Sequence, residues 1–265
     1  MKNLANKIVF ITGASSGIGK ACAEQFAAAG AHLILTARRI DRVETLAKTL
    51  QEKHSIKTLA VKLDVQDKAM VKSVIDGLPS EWQNIDVLVN NAGLALGTDA
   101  IQHGNPSNWD TVIDTNIKGL LYVTRYILTG MTERNAGHII NIGSIAGHEY
   151  YPGGNIYSAT KHAVKAIHHS LRLDLAGTPI RASHISPGAV ETEFSEVRFN
   201  DKEKAKNFYQ DFTPLVADDI ADAVVYCASR PAHVNISEVT VMPTDQASCN
   251  HVTKKGQAAA GVFSK

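Results

Sequence analysis

Three glycines at the junction of a short apolar run and an amphipathic stretch constrain this chain more than any other feature. They stand in Thr12-Gly13-Ala14-Ser15-Ser16-Gly17-Ile18-Gly19. Residues 7–12 ahead of them read as a buried strand, and residues 17–29 behind them read as a helix. Gly13 permits a tight turn that a Cβ would obstruct. Gly17 lets backbone approach a ligand closely, and Gly19 lets helix and strand pack together. The free N–H groups at the helix start then face outward as an anion site that suits a pyrophosphate. In a strand–turn–helix context the pattern predicts a dinucleotide loop, with Ser15, Ser16 and Ile18 as further members. The alternative is an ordinary Gly-rich turn.

The same alternation continues along the chain. Residues 32–37, 58–63, 87–89, 138–142, 181–185 and 238–242 carry the strand signature. Helical patterns cover 41–53, 68–78, 109–131, 157–176 and 217–228. Strands alternating with helices argue for βαβ units and a parallel sheet. Runs such as 87–89 are apolar on both faces, as in strands covered from above and below. The expectation is an α/β, Rossmann-like, doubly wound parallel sheet with helices on both faces, in a single domain over 1–250. A tail, 251–265, follows and reads as disordered or as a docking arm.

Composition excludes several classes. The 265 residues carry 27 basic and 26 acidic side chains, a net charge of +1, with no basic cluster for nucleic acid or a membrane surface. The first ten residues lack the apolar run of a signal peptide. Cys22, Cys227 and Cys249 are far apart and odd in number, which argues against a disulfide framework or a zinc site. A reducing cytoplasm is the expected location. His162, His168 and His169 share one predicted helix, but nothing completes a ligand set, so no metal is expected.

The GxxxGxG spacing resembles the short-chain dehydrogenases/reductases. So do Asn90-Asn91-Ala92-Gly93 after the fourth strand, Tyr157-Ser158-Ala159-Thr160-Lys161, and Pro187-Gly188 after the sixth. The resemblance implies a soluble oxidoreductase that moves a hydride between a nicotinamide and a small alcohol or carbonyl. It implies that Asn90, Ala92 and Gly93 line the cofactor floor, that Asp64 and Val65 contact the adenine, and that Val190 and Thr192 meet the nicotinamide carboxamide. Each has a plainer alternative: Asp64 as a helix cap, Asn90 as a turn amide.

The choice of cofactor follows from charge. An NAD site places a carboxylate about 20 residues past the glycines. That count ends at Ala37, and Arg38 and Arg39 come next. A ribose 2′-phosphate suits the guanidinium fork, so NADP(H) is expected, with Arg38 the stronger ligand. The alternative makes both arginines solvated surface charges.

Tyr157 and Lys161 are four apart on one helix face. A tyrosine with a pKa near 10 needs about 4 kcal/mol of preference for the phenolate to reach neutrality. One ammonium at about 4 Å supplies up to about that at an effective dielectric near 20. By resemblance, Ser144 holds the substrate oxygen, Tyr157 passes the proton, and Lys161 lowers the tyrosine pKa and holds the nicotinamide ribose. Asn116 would support a water and the lysine.

Residues 193–199 fall where the family places a mobile substrate cover. With Thr213-Pro214-Leu215, Pro231-Ala232-His233-Val234-Asn235-Ile236 and Met242-Pro243-Thr244 downstream, this segment resembles one branch, the NADP-dependent 3-hydroxy acid dehydrogenases acting on serine, allo-threonine and related acids. Arg198 would then be the carboxylate ligand; a surface charge or a subunit salt bridge is the alternative. Glu149-Tyr150-Tyr151 should line the pocket too. The rival functions are a broad carbonyl, diketone or pterin reductase, and a non-catalytic NADPH sensor. By family analogy the helices at 109–131 and 157–176 build a homodimer or homotetramer.

Overall fold

The computed structural model describes residues 4–255. Seven parallel strands form one sheet in the order β3-β2-β1-β4-β5-β6-β7. They are β1 (Ile8–Thr12), β2 (His32–Ala37), β3 (Thr58–Lys62), β4 (Val87–Asn90), β5 (His138–Ile142), β6 (Arg181–Pro187) and β7 (Glu238–Val241). The order reverses between β1 and β4, so the loops that leave them diverge and open a crevice at the strand ends.

The central strands bury both faces, and the two-residue period of a strand sends alternate side chains to opposite layers. Val9 and Ile11 join one core with Leu33, Leu35 and Val89. Phe10 joins the other with Ile34, Leu88 and Ile139. Helices α1 (Gly17–Ala28), α2 (Ile40–His54) and α9 (Ala217–Ala228) cover the first face. The second is covered by α3 (Lys68–Asp76), α5 (Leu120–Glu133) and α6 (Asn155–Asp174). This is the doubly wound, Rossmann-like fold expected, in one unit.

The helix expected over 109–131 is not continuous. It begins earlier as α4 (Pro106–Ile113), where Asn105 accepts from the Ser107 N–H at 3.0 Å and Pro106 takes the first helical position. Asp114–Gly119 then widens into a π-helical turn before α5. Gly119 lies so close to β3's exit that a Cβ would sit 2.6 Å from Val65 Cγ2.

The segment read as a cover folds as α7 (Glu193–Phe199), followed by α8 (Lys202–Phe208), which the periodicity did not signal. Thr192 caps α7 and Asp201 caps α8. A small antiparallel pair, β8 (Gln246–Ser248) and β9 (His251–Val252), follows β7. The expected domain boundary at 250 therefore falls within a hairpin, and the Lys255 N–H donates to the Asp211 carbonyl. Residues 256–265 lie outside the described residues. No helix among the described residues is long and apolar enough to cross a membrane.

Candidate active site

A cleft of about 800 Å3 opens at the switch point between β1 and β4. At one end stands the glycine loop. Gly13 and Gly17 have φ of +67° and +53°, where L side chains are strained. A Cβ on Gly19 would lie 2.4 Å from both Asn91 Nδ2 and the Gly13 carbonyl, so helix and strand pack as the sequence required. No side chain caps α1, because the Ser16 hydroxyl accepts from Arg39 instead. That leaves the helix start to an anion.

The residues fit a phosphorylated dinucleotide. Gly13, Ser15, Ser16, Gly17 and Ile18 line the cleft, with Arg38 and Arg39 beyond β2. The two arginines differ. Arg38 is exposed and makes no hydrogen bond or ion pair among the described residues. Arg39 donates to Ser15 Oγ at 3.1 Å, Ser16 Oγ at 2.8 Å and Glu193 Oε2 at 2.9 Å. Arg38 is thus the guanidinium left available to a phosphate. Asp64 and Val65 line the wall beside them. Asp64 accepts from Gln66 N at 3.1 Å, while Asp67 caps α3, so the capping alternative for Asp64 fails.

The floor differs from expectation at one position. Ala92 and Gly93 line it, but Asn90 does not. Asn90 is buried below, its amide donating to Thr124 Oγ1 at 2.8 Å and Asn141 Oδ1 at 2.9 Å. Strand alternation turns Asn90 inward and Asn91 toward the glycine loop. Asn91, to which the motif alone assigns no role, donates to the carbonyls of Thr12 and Gly13 at 2.9 and 3.2 Å. Pro187 and Gly188, with Val190 and Thr192, form the opposite lip.

Ser144, Tyr157 and Lys161 meet at the other end of the cleft. Ser144 follows β5, and its hydroxyl accepts from the Ala146 N–H at 3.1 Å. Lys161 is buried, and its Nζ donates to the Ile142 carbonyl at 2.9 Å. Burial pulls its pKa down to about 8. Burial also pushes the Tyr157 hydroxyl above its ordinary value, partly offset by its hydrogen bond with Ser144 and by the Arg198 charge. Lys161 is not among these influences; its Nζ lies 5.8 Å from the ring centroid and is turned toward the β5 carbonyl. The expected lowering of Tyr157 by Lys161 is therefore not seen in the protein by itself, where the ammonium is turned to the Ile142 carbonyl and desolvation is the largest influence on the hydroxyl.

Asn116 owes its position to the π-turn. It is buried, accepts from Leu94 N at 2.9 Å, and donates to Leu94 O at 2.9 Å and Thr160 Oγ1 at 3.0 Å. It ties the loop after β4 to α6, the helix of Tyr157 and Lys161. A Cβ on Gly93 would lie 3.3 Å from Asn116 Oδ1 and 3.7 Å from Lys161 Nζ, so the two groups flank one open point.

The cover helix brings Phe194 and Arg198 over the site. The Phe194 and Tyr157 rings are 5.6 Å apart. Arg198 Cζ lies 5.1 Å from the Tyr151 ring and 6.0 Å from that of Tyr157, and its Nε is buried without a hydrogen-bond partner. Of Glu149-Tyr150-Tyr151, only Tyr151 lines the cleft. Tyr150 is 72% exposed and stacks on His162, and Glu149 accepts from the Cys249 N–H at 2.7 Å. Two further residues hold the lip. Tyr209 donates to the Val190 carbonyl at 2.6 Å and bonds Ser195, and Gln246 accepts from Ala189 N at 2.8 Å. Neither carries a sequence signal, since each acts on a segment distant in the chain.

The model of the family described as short chain dehydrogenase matches residues 7–203. The NADP-dependent 3-hydroxy acid dehydrogenase YdfG of Salmonella typhi is 48% identical over 241 residues, 90% of this chain and 96% of that protein. Sulfoacetaldehyde reductase 2 of Chromohalobacter salexigens is 47% identical over 242 residues, 91% of this chain and 95% of that one. Among solved structures, the closed form of serine dehydrogenase complexed with NADP+ superposes with a TM-score of 0.86 at 43% identity, covering 97% of this chain and 100% of the other. Likeness of this extent, along a chain whose switch-point cleft joins a glycine loop to a Tyr–Lys helix, places the protein in the short chain dehydrogenase family.

Proposed function

We propose that the protein is an NADP(H)-dependent oxidoreductase that interconverts a small hydroxy acid and its carbonyl, with a 3-hydroxy acid such as serine or allo-threonine as substrate. One observation carries the substrate class. A guanidinium with an unpartnered, buried Nε stands beside Tyr157 and among the rings of Tyr151 and Phe199, which suits an anionic group on the substrate. The named relatives are a 3-hydroxy acid dehydrogenase and a sulfoacetaldehyde reductase, names that put an acid group on each substrate.

The chain's own residues divide the work. Ser144 donates to the substrate oxygen and fixes its place. Tyr157 gives or takes the proton at that oxygen through its hydroxyl. Lys161, charged below its pKa of about 8, holds the nicotinamide ribose and favours the phenolate once the site is filled. Asn116 keeps α6 in register with the loop after β4. Arg38 takes the 2′-phosphate, and the lip from Pro187 to Thr192 seats the nicotinamide. The bound nicotinamide supplies or accepts the hydride. Arg198 holds the substrate carboxylate so that the reacting carbon faces the ring.

A cytoplasmic location and a homodimer or homotetramer belong to the same reading. Leu121 on α5 and Leu173 on α6 are 42% and 78% exposed, which supports self-association through those helices. Turnover is followed by the absorbance of the reduced nicotinamide, with serine, allo-threonine, 3-hydroxyisobutyrate, a hydroxysulfonate and neutral secondary alcohols, each with NADP+ and NAD+. The expected result is NADP+-dependent oxidation of the acids, with Arg198→Ala raising KM for them about ten- to hundredfold, the loss of a charged hydrogen bond. Turnover of neutral alcohols alone would transfer the protein to the broad reductases. NADPH binding without turnover would make it a sensor.

A further inference from the structure

Helix α7 spans the two ends of the cleft. Its last turn carries Arg198 over the substrate side, and its first residue, Glu193, reaches the cofactor side. Both oxygens of Glu193 are taken: Oε2 accepts from Arg39 Nη1 at 2.9 Å and Oε1 from Arg42 Nη1 at 2.7 Å. The remaining donors of Arg39 hold Ser15 and Ser16. One carboxylate thus ties the cover to α2 and, through Arg39, to the glycine loop. The hydrogen bonds to these arginines hold the Glu193 carboxyl below its ordinary range, so it is charged at neutral pH. Thr192, just before α7, packs against the same loop, where a Cβ on Gly17 would lie 3.3 Å from its Cβ. Arg38 stays outside this network, so a 2′-phosphate can be held there while the clasp is shut.

We propose that Glu193 is a positioning residue, a clasp that fastens the substrate cover to the cofactor loop, so that the nicotinamide dinucleotide leaves only when the Glu193 contacts to Arg39 and Arg42 open. The proposal rests on the NADP(H) reading above. Because the clasp fixes the first end of α7 and Arg198 stands in its last turn, it also sets where Arg198 stands when the cover is shut. A cofactor-side charge thereby governs substrate binding without touching substrate.

The test measures release of NADPH and NADH by stopped-flow nicotinamide fluorescence, at low and high salt, in the full chain and in Glu193→Gln, Arg42→Gln and the double variant. Each single variant is expected to speed release of both dinucleotides about two- to fivefold, as befits half-exposed ion pairs. The double variant should be no faster than Glu193→Gln, which already removes both contacts, and acceleration by salt should be lost in both. Release rates unchanged in both single variants would overturn the proposal. So would slower NADPH release in Glu193→Gln, which would make Glu193 only a charge that repels the phosphate. A wild type that holds NADH but not NADPH would sink the cofactor reading alone, and the NADH rates would still decide the clasp.

Discussion

Mild acid should unfold this protein through its buried histidines. His138, His168 and His184 lie between β5, β6 and α6, each at most 1% exposed. Burial, the largest influence on each, pulls His184 to about 3 and His168 to about 4, and lowers His138 well below its ordinary value. Neighbouring basic groups deepen the effect: His168, Lys161, His148 and Lys165 act on His184, and Arg181 on His138. Glu238 opposes it at His168, from a carboxylate that lies 3.8 Å from His184 Nδ1. A histidine whose folded pKa is depressed stabilises the fold above its unfolded value near 6.5 and loses that contribution as pH falls toward the folded value. At about pH 5 an unfolded imidazole is protonated roughly thirty to one, worth about 2 kcal/mol, against about 0.2 at pH 7. The figure barely changes for any folded value below about 4.5, so the loss is about 2 kcal/mol per histidine. His168 and His184 together cost about 4 kcal/mol, a large share of an ordinary domain's 5–15. Urea unfolding at the two pH values measures the loss directly. His168→Phe keeps a ring against His184, which lies 5.4 Å away between centroids, and removes one titrating group. Its loss between pH 7 and 5 should be smaller than that of the wild type by about 2 kcal/mol, whatever its absolute stability. Equal pH dependence in the two proteins, or greater stability on acidification, would refute the reasoning.

Three other outcomes are expected. Tyr157→Phe should lower kcat by about 10²–10⁴-fold, the usual worth of a positioned acid–base group, while NADPH binding followed by fluorescence stays within about twofold of wild type. Arg38→Ala should weaken NADPH about ten- to hundredfold by titration and leave NADH nearly unchanged, because only the phosphate partner is lost. Gly19→Ala should lower stability by about 1–3 kcal/mol in urea unfolding, since its Cβ would meet Asn91 Nδ2 and the Gly13 carbonyl at 2.4 Å and one of them must give way.

The alternation of apolar strand and amphipathic helix is local, and it determined the doubly wound sheet without help from distant contacts. The glycine loop was legible for the same reason: the steric demands at Gly13, Gly17 and Gly19 come from a strand and helix adjacent in sequence. The one-turn spacing of Tyr157 and Lys161 likewise follows from helix geometry alone. Tertiary structure decided the rest. A π-turn between α4 and α5 delivered Asn116 to α6. Strand direction at the end of β4 buried Asn90 and sent Asn91 to the glycine loop. Contacts more than 150 positions apart drew Arg39 into the clasp with Glu193 and left Arg38 free. Tyr209 and Gln246 act on the lip that holds Val190 and Ala189, 19 and 57 positions away. Periodicity records which side of an element is buried. It does not record which partner a polar group finds there, because that depends on how elements remote in the chain are brought together.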